Sequence, residues 1–503
     1  MTSRERVRER ISNVDTAWLR MDRAENLMQI VGVMIFDGRM DYERLKRTVA
    51  QRLLRYRRFR QIAAQEASGA WWITDRNFDI DAHVRHSILP APGDKRELEK
   101  FVAEMASEPL NPSRPRWEFH LVETGKGSSE GHSALIARIH HAIADGIALI
   151  GVMDSLTDER ADAPEDGGLQ PWMPDAARGN GADTHENDLF WRWIYAPMTD
   201  ATLASLRIGG KLWSKYLGLL SNPAKAFDYA RIAGAVAVEV GKLALMSNDT
   251  KTRFKGKPGT LKRVAWSEPL SLADVKAVGK VLGCSVNDLL LSSVAGALRG
   301  YLQDKGDAVE GTEIRALVPV NLRAPGDIDD LGNRFGLVAL ELPVGLDNPL
   351  ARVFETRARM EALKGSYQAM LTFTILGAVG MVPKFVQERV LDLLAGKATA
   401  VMTNVPGPQQ ARYLAGTRLA QQMFWVPQSG DIGMGVSILS YDGKVQFGLI
   451  TDQNMVDDPE RIVERFAVEF EKLLWLVLME PGERLSDPDA VEDALRGELA
   501  AAG

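Results

Sequence analysis

Apolar positions recur with two different periods along the chain, and the switches between them mark the elements. Ser133 to Ile139 is a short apolar run, β-branched in part, and predicts a buried strand. Past Gly146, Ile147, Ile150, Met153 and Leu156 recur at helical spacing with Leu149 beside them. Between strand and helix lie His140, His141 and an Asp145-Gly146 step. Upstream, Ser12-Asn13-Val14-Asp15 before Thr16-Ala17-Trp18-Leu19 predicts a short capped helix. Gln29 to Phe36 predicts a strand closed by an Asp37-Gly38 turn. Leu45, Val49 and Leu53 share one face of a helix over Asp41 to Leu54. Trp71 to Ile73, Asp79 to Val84 and Trp117 to Val122 predict strands, and Glu97 to Ala106 a helix.

Periodicity fades over Asp158 to Asp188, which is rich in Asp, Glu, Gly and Ala and reads as a linker. Leu189 to Met246 reads as largely helical, with Trp191, Trp193, Trp213 and Tyr216 fitted either to pack two domains together or to meet lipid. Patterned segments resume at Lys262 to Trp266, a strand. Helices follow over Leu272 to Leu282, Leu289 to Leu302, Pro349 to Leu363 and Asp458 to Leu478. Glu313 to Val320 and Leu337 to Leu342 predict strands, and Ser437 to Ile450 a hairpin turning at Tyr441-Asp442-Gly443. Phe373 to Leu394 carries an apolar surface, for core packing or for lipid. The order of elements suggests two similar α+β halves: a domain over 1–157, a linker over 158–255, a second domain over 256–480 and a charged, frayed tail over 481–503.

Composition narrows the classes. A chain of 503 residues is long enough for more than one domain. Its net charge of −6 argues against a general nucleic-acid binder. The lone cysteine, Cys284, permits no internal disulfide and fits a reducing compartment. The first fifteen residues lack the apolar core of a signal peptide, and no apolar run reaches transmembrane length. A reducing, cytoplasmic compartment and a soluble or peripheral protein are expected.

Histidine is scarce, seven in the chain, so two adjacent ones at a strand end stand out. A neutral imidazole takes a proton from a hydroxyl near pH 7. Two buried structural histidines beside an Asp-Gly turn would show the same spacing, and so would part of a metal site, although no second ligand cluster stands close by. Gly127-Ser128-Ser129-Glu130-Gly131 matches the hydrolase nucleophile pattern but lies in a polar loop before a strand, the wrong setting for an elbow. Cys284 opens a helix, which can lower a thiol pKa, and equally serves as a small apolar residue. Arg52, Arg55, Arg57, Arg58 and Arg60 could meet phosphates or form a solvated helix end. Ser285 is a good N-cap and Asp288 favours the helix dipole.

His140-His141-Ala142-Ile143-Ala144-Asp145-Gly146 matches HHxxxDG, the mark of acyl-CoA-dependent acyltransferases with the chloramphenicol-acetyltransferase-like fold and of condensation domains. Pro115-Arg116-Trp117, where many relatives carry Pro-Leu-Trp, Asn287-Asp288, Leu331-Gly332-Asn333-Arg334 and Thr403 to Pro408 extend the likeness. From about Ser12 to Leu474 the chain resembles the bacterial wax ester synthase/diacylglycerol acyltransferase family. The resemblance implies an α+β fold of two chloramphenicol-acetyltransferase-like domains, mixed sheets with flanking helices joined by a helical linker, and a tunnel between them. It implies an O-acyltransferase that moves a fatty acyl group from acyl-CoA to a fatty alcohol or to diacylglycerol.

His141 is then the general base, His140 its support, Asp145 and Gly146 hold the loop, and Asn287 of the Asn287-Asp288 pair assists. Arg263, or else Arg323, is the expected partner of Asp145. Transfer is direct, with no acyl-enzyme and no metal or bound cofactor. A homodimer and contact with a membrane or lipid droplet are further expectations. The competing expectations are a same-fold transferase with another hydroxyl or an amine as acceptor, and a lipid-binding protein without catalysis.

Overall fold

The computed structural model describes residues 8–66, 69–123, 132–164, 247–322, 333, 335–364, 372, 387, 389–390, 395–480, 482 and 484–502. In the first half these form β1 (Arg8–Arg10), α1 (Asn13–Met21), β2 (Gln29–Asp37), α2 (Tyr42–Arg52), β3 (Gln61–Glu66) and β4 (Gly69–Thr74). β5 (Val84–Ile88), α3 (Lys95–Ser107), β6 (Trp117–Glu123), β7 (Ser133–His140) and α4 (Gly146–Leu156) follow. The second half contributes β8 (Lys262–Trp266), β9 (Leu270–Ser271), α5 (Leu272–Leu282), α6 (Val286–Asp304), β10 (Ile314–Asn321), β11 (Phe335–Leu342) and α7 (Pro349–Lys364). It ends with β12 (Ala400–Pro406), β13 (Tyr413–Leu414), β14 (Thr417–Trp425), β15 (Met434–Tyr441), β16 (Lys444–Asp452), α8 (Glu460–Met479) and α9 (Pro488–Ala502).

Two mixed sheets carry the molecule. The first runs β13-β14-β2-β7-β6-β5 and the second β11-β10-β12-β15-β16-β8, with β9 at the edge of β16. A small sheet of β1, β4 and β3 flanks the first. Every residue of β7 is buried because both faces of its sheet are covered. Leu135, Ala137 and Ile139 join the core beneath α1, α2 and α4, while Ala134 and Ile136 join the cluster that includes Leu98 and Val102 of α3. That second cluster also takes Val264 and Trp266 of β8 and Trp425 of β14, so one core is shared by both halves.

β14 lies beside β2 over the register Arg418↔Asp37 to Trp425↔Val31. The expected boundaries of 1–157 and 256–480 therefore need correction: residues 413–425 complete the sheet of the first domain. Thr403 to Pro408 is the departure point of this crossover. There Gly407 donates to Ser440 O at 2.7 Å, and a Cβ on Gly407 would meet that oxygen at 2.6 Å. The Asp442-Gly443 turn has φ of +47° and +71°, the left-handed pair that a two-residue hairpin requires.

Three further expectations are corrected. Asp79 to Val84 is a 3-10 turn over Ile80–Ala82 capped by the Asp79 side chain, and the strand starts only at Val84. The tail after Pro481 is not frayed: α9 anchors through buried Val491 and through Asn348, which donates to Pro488 O and Glu492. The basic run is neither a solvated helix end nor open to phosphates throughout. Arg52 is buried and grips both carboxylate oxygens of Asp158 at 3.0 Å, and Arg58 does the same to Glu9. The Gly127–Gly131 pattern, Arg323, the helical linker over 189–246 and nearly all of Phe373 to Leu394 lie outside the described residues.

Candidate active site

β7 is the middle of its sheet, hydrogen-bonded to β2 and β6, and its last pair, Gln29↔His140, delivers the histidines to the strand end. The chain then turns tightly. His141 N donates to Met28 O at 2.7 Å and Ile143 N to His140 O at 2.9 Å. Asp145 ends the turn as the N-cap of α4, its Oδ1 accepting from Ala148 N at 2.9 Å. The carboxyl thereby fixes where the helix starts, as an Asp at this place should.

The two imidazoles have different surroundings. His140 Nδ1 accepts from Ala142 N at 3.1 Å, so the proton of the neutral ring belongs on Nε2. That nitrogen stands 3.5 Å from Asp22 Oδ2, which also takes Arg116 Nη1 at 3.2 Å. Asp22 Oδ1 accepts from Met28 N, closing the loop back onto the His141 anchor. Asp22 stays below the usual carboxylate range: burial opposes this, and the contacts with His140, Met28 N and Arg116 together outweigh it.

His141 stacks on Trp18 with ring centroids 4.2 Å apart and leans on Phe335 at 5.5 Å. Its Nδ1 is buried without a hydrogen-bond partner. Burial pushes the ring down to about 4, against the pull of Asp145. His141 is therefore neutral at pH 7, the form able to accept a proton. Its carbonyl accepts from Asn333 Nδ2 at 2.9 Å, and the same nitrogen reaches Asp15 Oδ1 at 2.6 Å.

An apolar cavity of about 820 Å³, mouth included, runs beside this loop. Ile30, Ile139 and Gly146 line its inner end, Leu149, Ile150 and Met153 follow along α4, and Thr157 and Arg412 stand at the other end. Eleven residues of α4 make that path about 16 Å long. Met423 and Phe424 of β14 and Leu439 of β15 close it, so both halves build the wall. The His141 ring, 3 % exposed, is not on the wall. Trp18 and Phe335 cover it, and the cavity reaches the residues on either side of its loop.

The other expected residues sit in the second half of the chain. Arg263 sits on β8 opposite Thr451 and makes no ion pair with Asp145, which corrects that expectation. Strand register places Arg263 in the second sheet, away from the α4 cap. Asp288 is buried in a capping box: Ser285 Oγ accepts from Asp288 N and Asp288 Oδ2 from Ser285 N. Asn287 is exposed and its Oδ1 accepts from Asn404 Nδ2 of β12 at 2.9 Å, leaving the NH2 as its donating end. Burial raises the Cys284 thiol, so it is not an activated nucleophile. Among the described residues no three His, Cys, Asp or Glu side chains gather as a metal site would need. Sequence reasoning missed Asp22 and Trp18 as site residues. Their only signal was proximity to an N-terminal helix that the strand pairing later brings under the histidines.

A pair of mixed sheets sharing an apolar cavity, with His-His closing the central strand of one, is an architecture for joining an acyl group to an acceptor. The chain shares it with the solved wax ester synthase/diacylglycerol acyltransferase from Marinobacter aquaeolei VT8, at TM-score 0.65 and 20 % identity over 93 % of this chain and 100 % of that one. The first condensation domain of the calcium-dependent antibiotic synthetase matches at TM-score 0.55 and 14 % identity, over 96 % and 98 %. These likenesses establish the two-domain, chloramphenicol-acetyltransferase-like fold.

The chain itself belongs to the wax ester synthase/diacylglycerol acyltransferase family. The family's catalytic-domain model matches residues 11–290 and its C-terminal-domain model residues 331–474. A Mycobacterium tuberculosis (strain H37Rv) protein named a probable diacylglycerol O-acyltransferase is 27 % identical over 427 residues, 83 % of this chain and 85 % of that protein. The protein is an acyltransferase. Among the described residues no single helix is long and apolar enough to cross a membrane.

Proposed function

We propose that the protein moves a fatty acyl group from acyl-CoA to the hydroxyl of a fatty alcohol or of diacylglycerol, with His141 as general base. One observation carries this reading: a deep apolar cavity, shared by both halves, runs up to the loop that holds a buried neutral histidine. Apolar walls suit an alkyl chain, because each methylene taken out of water contributes about 0.8 kcal/mol. The hydroxyl gives its proton to His141 as its oxygen attacks the thioester carbonyl. The tetrahedral intermediate collapses, the C–S bond breaks, and His141 returns the proton to the thiolate of coenzyme A. His140 supports the loop through Asp22, and Asn287 offers its NH2 to the developing oxyanion. Holding both substrates in a site shielded from water supplies much of the rate.

Contact with a lipid surface belongs to the same reading. Val468, Trp475, Leu478 and Met479 are exposed on α8, at spacings of seven and ten to eleven that put them on one face. Purified protein given palmitoyl-CoA with hexadecanol and diacylglycerol together should release free thiol and yield esters identified by mass. Equal ester formation by a folded His141→Ala variant would remove the base from this account.

A further inference from the structure

Helix α1 meets the histidine loop directly at Trp18 and, through Asn333, at Asp15, and general-base chemistry explains neither contact. Trp18 lies flat on the His141 ring at 4.2 Å. One turn earlier Asp15, buried at 4 % exposure, accepts from Asn333 Nδ2 at 2.6 Å. Asn333 is 318 positions away in the second half, and its Nδ2 also donates to the His141 carbonyl at 2.9 Å. Both partners are acceptors, so only the NH2 end of the amide fits between them. Asn333 Oδ1 is left buried with no partner.

Stability alone is a poor reason for such a cluster. It buries a carboxylate and orphans an amide oxygen, where an apolar pair of like volume would fill the space about as well. The geometry serves the histidine instead. Asn333 Nδ2 holds the His141 carbonyl, while the ring nitrogen Nδ1 makes no hydrogen bond of its own. With that carbonyl pinned, the backbone from which the ring projects stays put. Trp18 then fixes the ring plane.

We infer that Asp15, Asn333 and Trp18 form a positioning clamp that sets the ring orientation of His141, so that the base is completed by contacts from both halves of the chain. This rests on His141 being the base.

The test uses the full chain with palmitoyl-CoA and hexadecanol, thermal unfolding, and His141→Ala alongside. An Asp15→Leu/Asn333→Leu double variant should unfold cooperatively near the wild-type temperature. Its kcat should fall by about 100-fold, as for a displaced reacting group, while KM for acyl-CoA stays within about threefold. The exchange variant Asp15→Asn/Asn333→Asp keeps one amide and one carboxyl but cannot donate to the His141 carbonyl, and should lose kcat similarly. Asp15→Asn alone keeps that donor and should hold kcat within about tenfold of wild type. Wild-type kcat in the folded leucine pair overturns the clamp. If that pair does not fold, wild-type kcat in the exchange variant overturns it equally. Activity surviving in His141→Ala overturns the general-base reading instead, so the two failures are distinct.

Discussion

Two central strands end on buried titratable groups, and their ends are treated in opposite ways. β16 ends at Asp452, 1 % exposed, with every lone pair used. Gly259 N donates to both carboxylate oxygens at 3.0 and 2.9 Å, Asn454 N to Oδ1 at 3.0 Å and Lys262 Nζ to Oδ2 at 2.8 Å. Lys262 Nζ continues to Glu25 O at 2.6 Å and so ties β8 to the first half. β7 ends on His140, with His141 next in the chain and equally buried; His140 Nε2 has only Asp22 Oδ2, at 3.5 Å, and His141 Nδ1 has no hydrogen-bond partner. Saturated bonding marks a group kept for architecture. Unspent capacity at the same depth, on a ring that titrates, leaves a group able to exchange a proton.

The sharpest way to break this contrast is to remove one group from each end. His141→Ala should leave the unfolding temperature near wild type and lower ester formation by about a thousandfold, the scale of a lost general base. Product counted by mass against enzyme concentration reads it directly. Lys262→Met should do the reverse. It leaves the Asp452 carboxylate buried and unpaired, a loss of about 3–5 kcal/mol in urea unfolding, while kcat of the folded fraction changes by less than about tenfold. Equal damage to kcat by both substitutions would erase the distinction between the two strand ends.

How far this contrast was legible in the sequence depends on the range of the contacts. β7, the histidines and α4 are contiguous, so hydrophobic period and an Asp-Gly step located them within a residue or two. Asp145 was readable as a turn-holder because an N-cap acts three residues away. Its proposed partner Arg263 was not, because nothing local tells which sheet an arginine will join. Arg52 misled for the same reason: charge suggests solvent, but its partner Asp158 lies 106 positions on. β14 belongs to the first sheet through pairing with β2, nearly 400 residues upstream, and its own pattern carries no trace of that. Asn333 could be flagged only by family likeness, and its contacts with Asp15 and His141 needed the fold.

The cavity offers a smaller effect confined to one side of the comparison. Ile150 faces it midway along α4. Ile150→Trp should fill that stretch and shift preference toward shorter alcohols by about tenfold, the scale of a few excluded methylenes. Competition between octanol and hexadecanol in one reaction, with esters resolved by mass, measures it. No change in preference would place the alcohol chain somewhere else, leaving the His141 assignment untouched.

The smallest effect is in pH, and it separates the buried ring from an ordinary one. An imidazole at its usual value of about 6.5 would lose roughly eightfold of its neutral form between pH 7 and 5.5. Burial holds His141 down to about 4, so the acid limb of kcat/KM should stay almost flat over that interval and fall only near the lower value. The sign for stability follows from the same shift. The unfolded chain binds the proton near 6.5 and the folded one resists it, so this stabilisation is present above about 6.5 and is lost as pH falls toward the folded value. Activity should therefore outlast part of the stability on acidification, and a pH series of kcat/KM taken with urea midpoints checks both. An acid limb near 6.5 would mean a solvated ring, and with it the contrast between the two strand ends would lose its physical basis.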